Sequence, residues 1–504
     1  MTRRIVAALA ALFLLGGLLK WEGALADETA AAPVLQHHAD AGRSGLYVVP
    51  ALTWEAARGL HRDPAFRAEV AGPVYAQPLY WDPPDGGRPV LIVATEQNLV
   101  YALDATTGAS VWKTSLGAPA PRSALPCGDI DPLGVTGTPV IDARAQVLYL
   151  DAMARVTRDV PPRHALFALS LKDGSVRPGW PVDVEAALAK RGETFASPEQ
   201  NQRGALALIG ERLYVAYGGH FGDCGAYHGR VVGISLAEPT RVLSWSTAAR
   251  GGGIWSPGGV VSDGHALYVT TGNTMGARAW GGGEAVIRLG LDLAFSGRTE
   301  DYFAPVDWRD LDDEDLDLGA TNPLLVTLPG AAPAELALAL GKDGKAYLLD
   351  RRALGGIGGS LRAKKVSQVP IRTAPAAFPA GDGVYVAFQG RGSDCPEGRG
   401  GDLTVLRISA GAPPDMGVAW CAAAGGRGSP IVTTTNGRSN PVVWIVGAEG
   451  DNRLHGYRGD TGETVFAGGS TAESMGPVRR FQTLIAAGRR LYVAGDKEVY
   501  AFAF

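Results

Sequence analysis

Charge is scarce in this chain: 19% of its 504 residues are Asp, Glu, Lys or Arg, and 47 Lys and Arg face 51 Asp and Glu, a formal net charge of −4. With no basic excess at the whole-chain level to gather phosphates, nucleic acid is not an expected partner. Beyond the N-terminal segment no apolar stretch is long enough to span a bilayer, so the mature protein is expected to have no membrane span. Cysteine is limited to four residues, with none before Cys127, which leaves lipid attachment without a residue to act on. The spacing Cys-x-x-Cys-His is absent, which removes a built-in c-type haem. Neither a Gly-x-Ser-x-Gly elbow nor a phosphate-cradling loop occurs, so hydrolase and nucleotide chemistries have no anchor. Long helical periodicity is missing too, apart from Val184 to Lys190.

What is plentiful is glycine, at 69 residues, and proline, at 33, the composition of a turn-rich globular chain. Length alone does not set the domain count, because a closed all-β repeat can use this much chain as one unit, here expected over 27–504. Residues 1–26 read as a secretory signal: Arg3 and Arg4, the apolar run Ile5 to Leu19, then Ala24-Leu25-Ala26 as a small-residue cleavage site. That run is shorter than the roughly 20 residues a spanning helix needs, which favours cleavage near Ala26 over an uncleaved anchor. The expected location is periplasmic or secreted. In such an oxidising compartment four cysteines give up to two disulfides in any of three pairings. Sequence does not choose among these, but Cys395 and Cys421 flank one predicted hairpin while Cys127 and Cys224 sit in separate glycine-rich loops, and those two pairs are the expected ones.

The strongest internal signal is a repeat: a short apolar strand, ending in Tyr-Val or similar, leads through a turn into a second strand. The second strands read ALDATTGASVW (102–112), ALSLKDGSVRPGW (168–180), VGISLAEPTRVLSW (232–245), VIRLGLDLAFSG (286–297), YLLDRRALGG (347–356), LRISAGAPPDMGVAW (406–420), LHGYRGDTGETVF (454–466) and VYAFAF (499–504). Alternating β-branched and aromatic residues between Asp-Gly, Thr-Gly and Gly-Gly turns argue for strands throughout. Eight units with starts 45 to 66 residues apart predict an eight-bladed β-propeller, all-β, with four-stranded antiparallel blades. The last unit reaches Phe504 without an outer strand, so closure is expected to borrow one from within residues 45–80.

The pattern Ala102, Asp104, Thr107, Gly108 and Trp112 resembles the tryptophan-docking repeat of pyrroloquinoline quinone (PQQ) propellers. In that repeat the Thr-Gly turn closes a hairpin and the Trp packs between blades, as Trp180, Trp245 and Trp420 are also placed to do. The segment GGGIWSPGGVVSDGHALYVTTGN (251–273) is similar to the quinoprotein alcohol dehydrogenase segment that supplies a stacking Trp and a metal-ligating Asn, which implies those roles for Trp255 and Asn273. DLDLGATNPLL (315–325) resembles the segment with that family's catalytic Asp, here Asp317 with Asp315 beside it; GKDGKAYLLDR (341–351) resembles the next strand pair and adds Lys342 to the cofactor contacts. The chemistry is coherent: a quinone needs an aromatic floor, a hard cation at its carbonyl oxygen and a carboxylate to take the alcohol proton. Residue by residue the plainer reading is structural, with Asn273 a turn residue and DWRDLDDEDLDLG a solvated acidic loop.

Three family features are missing. Cys127, in LPCGDIDPLG, stands where the family has two adjacent cysteines over the cofactor, but its neighbour is Gly128. The Arg that follows that pair is replaced by the stretch Asp131 to Leu133, which leaves no positive charge there to hold the quinone. Cys224 takes the slot of the metal-ligating Glu, with only Asp223 close by. A nearer likeness is to exported quinoprotein-like propellers that share a His-x-Asp-x-x-Arg-x-Gly opening (His38 to Gly45), the segment Val74 to Tyr80 and a Cys-Gly-Asp-Ile loop (Cys127 to Ile130).

Three functions therefore compete. The first is a PQQ- and Ca²⁺-dependent dehydrogenase of alcohols or polyols: Trp255, Asn273, Cys127 and Lys342 bind the cofactor, Asn273, Asp317 and Asp223 the metal, and Asp317 is the base. Lacking haem, it would pass electrons to a soluble cytochrome. The second is a non-catalytic envelope propeller that binds a protein or glycan. The third takes His220, Cys224 and His228 as a copper or zinc site, since imidazole and thiolate suit those metals. His37 and His38 are read as surface or turn residues.

Overall fold

The computed structural model describes residues 32–155, 160–381 and 383–504; the expected signal sequence at 1–26 lies outside them. The described residues build eight sheets of four or five strands, almost entirely antiparallel. The eight repeat segments fall on the third strand of successive sheets: Leu99–Asp104, Arg163–Ser170, Arg230–Ser235, Ala285–Gly290, Lys345–Asp350, Leu403–Ser409, Leu454–Arg458 and Glu498–Ala503. The architecture is an eight-bladed β-propeller, with blade 1 beginning at Leu79. Its apolar core is divided among the seams between blades, as where Leu148 and Leu169 of blade 2 pack with Ile92 and Ala102 of blade 1.

The repeat's turn chemistry is visible in blade 1. Asp104 Oδ1 accepts from the N–H groups of Thr106 and Thr107, both at 2.8 Å, and Gly108 at φ +79° lies where any Cβ would collide with the Arg67 backbone. Trp112 then reaches into the next blade, donating from Nε1 to Leu171 O at 2.9 Å over the face of Gly174; Trp420 does the same with Gly459 O and Gly462.

Closure occurs in blade 8, as expected, with strands from the 45–80 window. His61–Arg62 pairs with Ala503 and Phe502, and Ala68–Glu69 with Val499 and Glu498, covering an edge that would otherwise expose unpaired backbone. The segment just before does something the sequence did not announce. Its backbone bonds Tyr80 of blade 1 through Val34, Ile141 of blade 2 through Leu35, Ser262 of blade 4 through Ala41, Ala377 of blade 6 through Ser44 and Val432 of blade 7 through Gly45. Leu46–Val48 continues as a parallel strand beside Ile431–Thr434. A chain touching blades on all sides of the ring necessarily crosses its hub. His37 and His38, read as surface or turn residues, are buried there and stack with ring centroids 4.3 Å apart.

The helix expected at Val184 forms as Val184–Ala189, its Asp183 cap accepting from Ala186 N at 2.9 Å. The acidic stretch read as a solvated loop contains a helix, Trp308–Glu314, because Trp308 and Leu311 bury one side of it; Asp310, Asp313 and Glu314 face outward, while Asp312 turns in to accept from Thr274 N at 2.8 Å. No helix among the described residues is long and apolar enough to cross a membrane.

Both expected disulfides are present, Cys127–Cys224 and Cys395–Cys421. The first links residues 97 apart, so changing both cysteines to serine is expected to cost about 2–5 kcal/mol of stability, read from the midpoint of urea unfolding.

Candidate functional site

Each blade's inner strand is entered from a connection that comes off the outer edge of the blade before, and in a closed ring equivalent positions in these connections aim at the same axial space. Arg203, Arg372 and Arg427 each stand four residues ahead of an inner strand, those beginning at Ala207, Ala376 and Ile431. Together with Arg480 and Lys342 they line an axial cavity of about 670 Å³, a volume suited to a small molecule. Asp129, Asp223, Asp315 and Asp317 face them across it.

The deep wall gathers four of the predicted residues. Asp317, in the connection from blade 4 to blade 5, is buried, and its Oδ1 accepts from the backbone N–H of Asn273 at 2.7 Å. Lys342 Nζ forms ion pairs with Asp317 and, at 2.7 Å, with Asp315, and lies 5.3 Å from the centre of the Trp255 ring. Gly272 makes this approach feasible, since a Cβ there would collide with Asp317 Oδ1 and crowd Trp255 Nε1. Burial raises the Asp317 pKa although Lys342 pulls it down, and burial would lower that of Lys342 but its two aspartates raise it. Behind Asp317, burial and the Asp317 charge lift Glu284 well above the carboxylate range; its Oε2 accepts from Leu318 N at 2.6 Å. Asp317 and Asp315 therefore hold a fixed ammonium at the cavity, backed by Glu284, which burial and the Asp317 charge push toward its protonated form.

Above this wall Arg203 spans two rings, its guanidinium carbon 5.7 Å from the centres of both Trp255 and Phe481. Its Nε is buried without a hydrogen-bond partner among the described residues, and desolvation lowers its pKa. Sequence reasoning missed Arg203, Arg372, Arg427 and Arg480. The stretch Asp131 to Leu133 leaves no positive charge at the family's position after Cys127; besides Lys342, the positive charge comes from arginines of other connections. The one signal that could have found three of them is their shared offset from the inner strands.

The other predicted residues are placed differently. Cys127 and Cys224 do not line the cavity; their bond ties together the two segments that bring Asp129 and Asp223 to it. Asp223 accepts from Tyr227 Oη at 2.6 Å. The His220, Cys224 and His228 trio makes no ligand set. Cys224 is oxidised, His220 Nε2 is 3.0 Å from Pro198 O, and His228 Nδ1 is 3.0 Å from Thr247 O. Burial takes the His220 pKa down to about 4, so that ring is neutral. Among the described residues no group of three or more His, Cys, Asp or Glu side chains is arranged to hold a metal ion. A calcium ion takes six to eight oxygen ligands. Asn273, an Asp317 already paired with Lys342 and an Asp223 that accepts from Tyr227 do not amount to such a cage, so these residues do not fit a resident Ca²⁺. They do fit a flat anionic group, with an indole wall and an unpartnered guanidinium N–H beside it.

No family model matches the chain, and no curated protein matches it. Solved structures do. A quinohemoprotein alcohol dehydrogenase from Pseudomonas putida superimposes with a TM-score of 0.65 at 15% identity, over 94% of this chain and 80% of its own. A second quinohemoprotein alcohol dehydrogenase, from Comamonas testosteroni, gives 0.63 at 14%, over 94% and 80%. A europium-containing methanol dehydrogenase gives 0.60 at 13%, over 94% and 98%. Likeness at this level of identity establishes the shared eight-bladed β-propeller fold.

Proposed function

We propose that the axial cavity is a quinoprotein-type redox site and that this chain, exported to the periplasm or secreted after cleavage near Ala26, is a PQQ-dependent dehydrogenase of alcohols or polyols. The observation that carries the reading is the convergence of Trp255, Asp317 and Lys342 on one wall of a cation-lined cavity. The neighbours of like fold, named as alcohol and methanol dehydrogenases, support it. A bound quinone supplies the two-electron oxidant that side chains lack. Trp255 offers the flat face on which such a ring stacks, and Arg203, its Nε unpaired, offers a donor to a carboxylate of the cofactor. Lys342 is the cation at hand to polarise a carbonyl oxygen, the part a metal plays elsewhere. Asp317 accepts the hydroxyl proton as the alcohol carbon gives up its hydrogen and two electrons and becomes a carbonyl. With no Cys-x-x-Cys-His in the chain, the electrons leave to a separate one-electron carrier such as a soluble cytochrome.

Calorimetric titration of the disulfide-intact protein with PQQ tests this. Saturable binding is expected, unchanged by EDTA because Lys342 stands where a metal would, and weakened at least about tenfold by Trp255→Ala, stacking on an aromatic face being worth roughly 1–3 kcal/mol. Absence of saturable binding overturns the reading in favour of a propeller that docks an envelope protein or glycan. Binding that requires Ca²⁺ overturns the role given to Lys342.

A further inference from the structure

The cations of the cavity are not equivalent. Lys342 is neutralised by Asp315 and Asp317, and Arg480 by Asp129 at 2.7 Å with Glu449 at 3.6 Å. Arg372 and Arg427 have no ion pair and no side-chain hydrogen bond among the described residues, yet both side chains border the same cavity. They occupy the same offset in two consecutive connections, blade 5 to 6 and blade 6 to 7, which places them side by side on the rim. Both are exposed, whereas the Lys342 and Asp317 side chains are only 9% and 3% exposed, so the pair marks the mouth and the ion pair the floor.

Two unpaired guanidinium groups crowded together in a chain of net charge −4 are a local reversal of sign. Desolvation first, then the neighbouring Arg427 charge, depress the Arg372 pKa against the upward pull of Asp315 and Asp317 across the cavity, so the two guanidinium groups lie close enough to repel. A neutral alcohol leaves that repulsion in place, while a carboxylate relieves it and matches the planar fork of each guanidinium.

We infer that the molecule oxidised in this cavity is a hydroxy acid, its carboxylate held at the mouth by Arg372 and Arg427 while its hydroxyl reaches Asp317. This rests on the quinoprotein reading of the floor. The cofactor's own carboxylates share the same chemistry, and the test separates the two.

The full-length protein and R372Q/R427Q, checked for fold by circular dichroism, are titrated with glycolate, lactate and gluconate, with the matched neutral ethylene glycol, 1,2-propanediol and sorbitol, and separately with PQQ. The expected result is that at least one hydroxy acid binds and its neutral partner does not. That binding should weaken with added salt and fall about tenfold or more in the double variant, while PQQ affinity stays within about twofold. Equal binding of acids and alcohols, or hydroxy-acid binding indifferent to R372Q/R427Q, overturns the inference and leaves the quinoprotein reading intact. Loss of PQQ binding in the double variant also overturns it, by assigning the arginines to the cofactor. If no protein binds PQQ but hydroxy acids still bind through the arginines, the quinoprotein reading falls and the carboxylate site stands.

Discussion

Changing Asp317 to asparagine is expected to lower turnover of the PQQ-loaded protein by about 10²–10⁴-fold while leaving it folded and able to bind the cofactor. Asparagine keeps the Oδ1 that accepts from Asn273 N, and Lys342 keeps its second partner, Asp315, so the wall retains its shape. What is lost is the buried carboxylate to which the reading assigns the proton; Glu284 behind it is pushed toward its protonated form by burial and by the Asp317 charge. The parent enzyme should add a pH signature. A base works only when ionised, and burial sets the Asp317 pKa above the usual aspartate range, so kcat/KM should fall as pH drops through that raised value. The asparagine variant should lack this limb. Turnover with an artificial dye acceptor across pH decides the matter: D317N activity within a few-fold of the parent, or an unchanged acidic limb, would remove Asp317 from the role of base.

The largest loss of stability is expected from Arg43→Met, about 3–5 kcal/mol. Arg43 is fully buried, and its guanidinium donates to Gly258 O at 3.1 Å, His37 O at 3.1 Å, Leu206 O at 2.9 Å and Val260 O at 3.0 Å. Methionine fills similar volume but strands those carbonyls in the hub without donors. Urea unfolding should show a lower midpoint at unchanged slope, and Arg43→Lys should recover only part of the loss, since an ammonium cannot reach acceptors on both blade 3 and blade 4 in the guanidinium's fork geometry. A loss below about 1 kcal/mol would mean that the N-terminal segment holds the hub through its backbone alone. Arg43 belongs to the His38-to-Gly45 motif noted in the sequence, and its part there is structural.

Much of this fold could be read without coordinates, for local reasons. Asp104, Thr107, Gly108 and Trp112 encode a turn and a docking ring within a few residues, and the repetition of that unit counts the blades. The closing strand was legible as a deficit, since blade 8 lacked a partner for Glu498–Ala503. The acidic helix Trp308–Glu314 was not, because its apolar side rests on only two residues in a run of acids.

The sequence by itself determined the number of blades, the strand alternation and the residues with family context, Trp255, Asn273, Asp317 and Lys342, because each is written in a short continuous stretch. Only the tertiary structure decided that Cys224 pairs with Cys127 instead of serving a metal, that Arg43 ties its own segment to the backbone of blades 3 and 4, and that Arg203, Arg372, Arg427 and Arg480 face one cavity. The physical reason is closure of the ring: residues from different blades, far apart in the chain, meet on the axis, and blades of unequal length hide that shared position from any fixed spacing in the sequence.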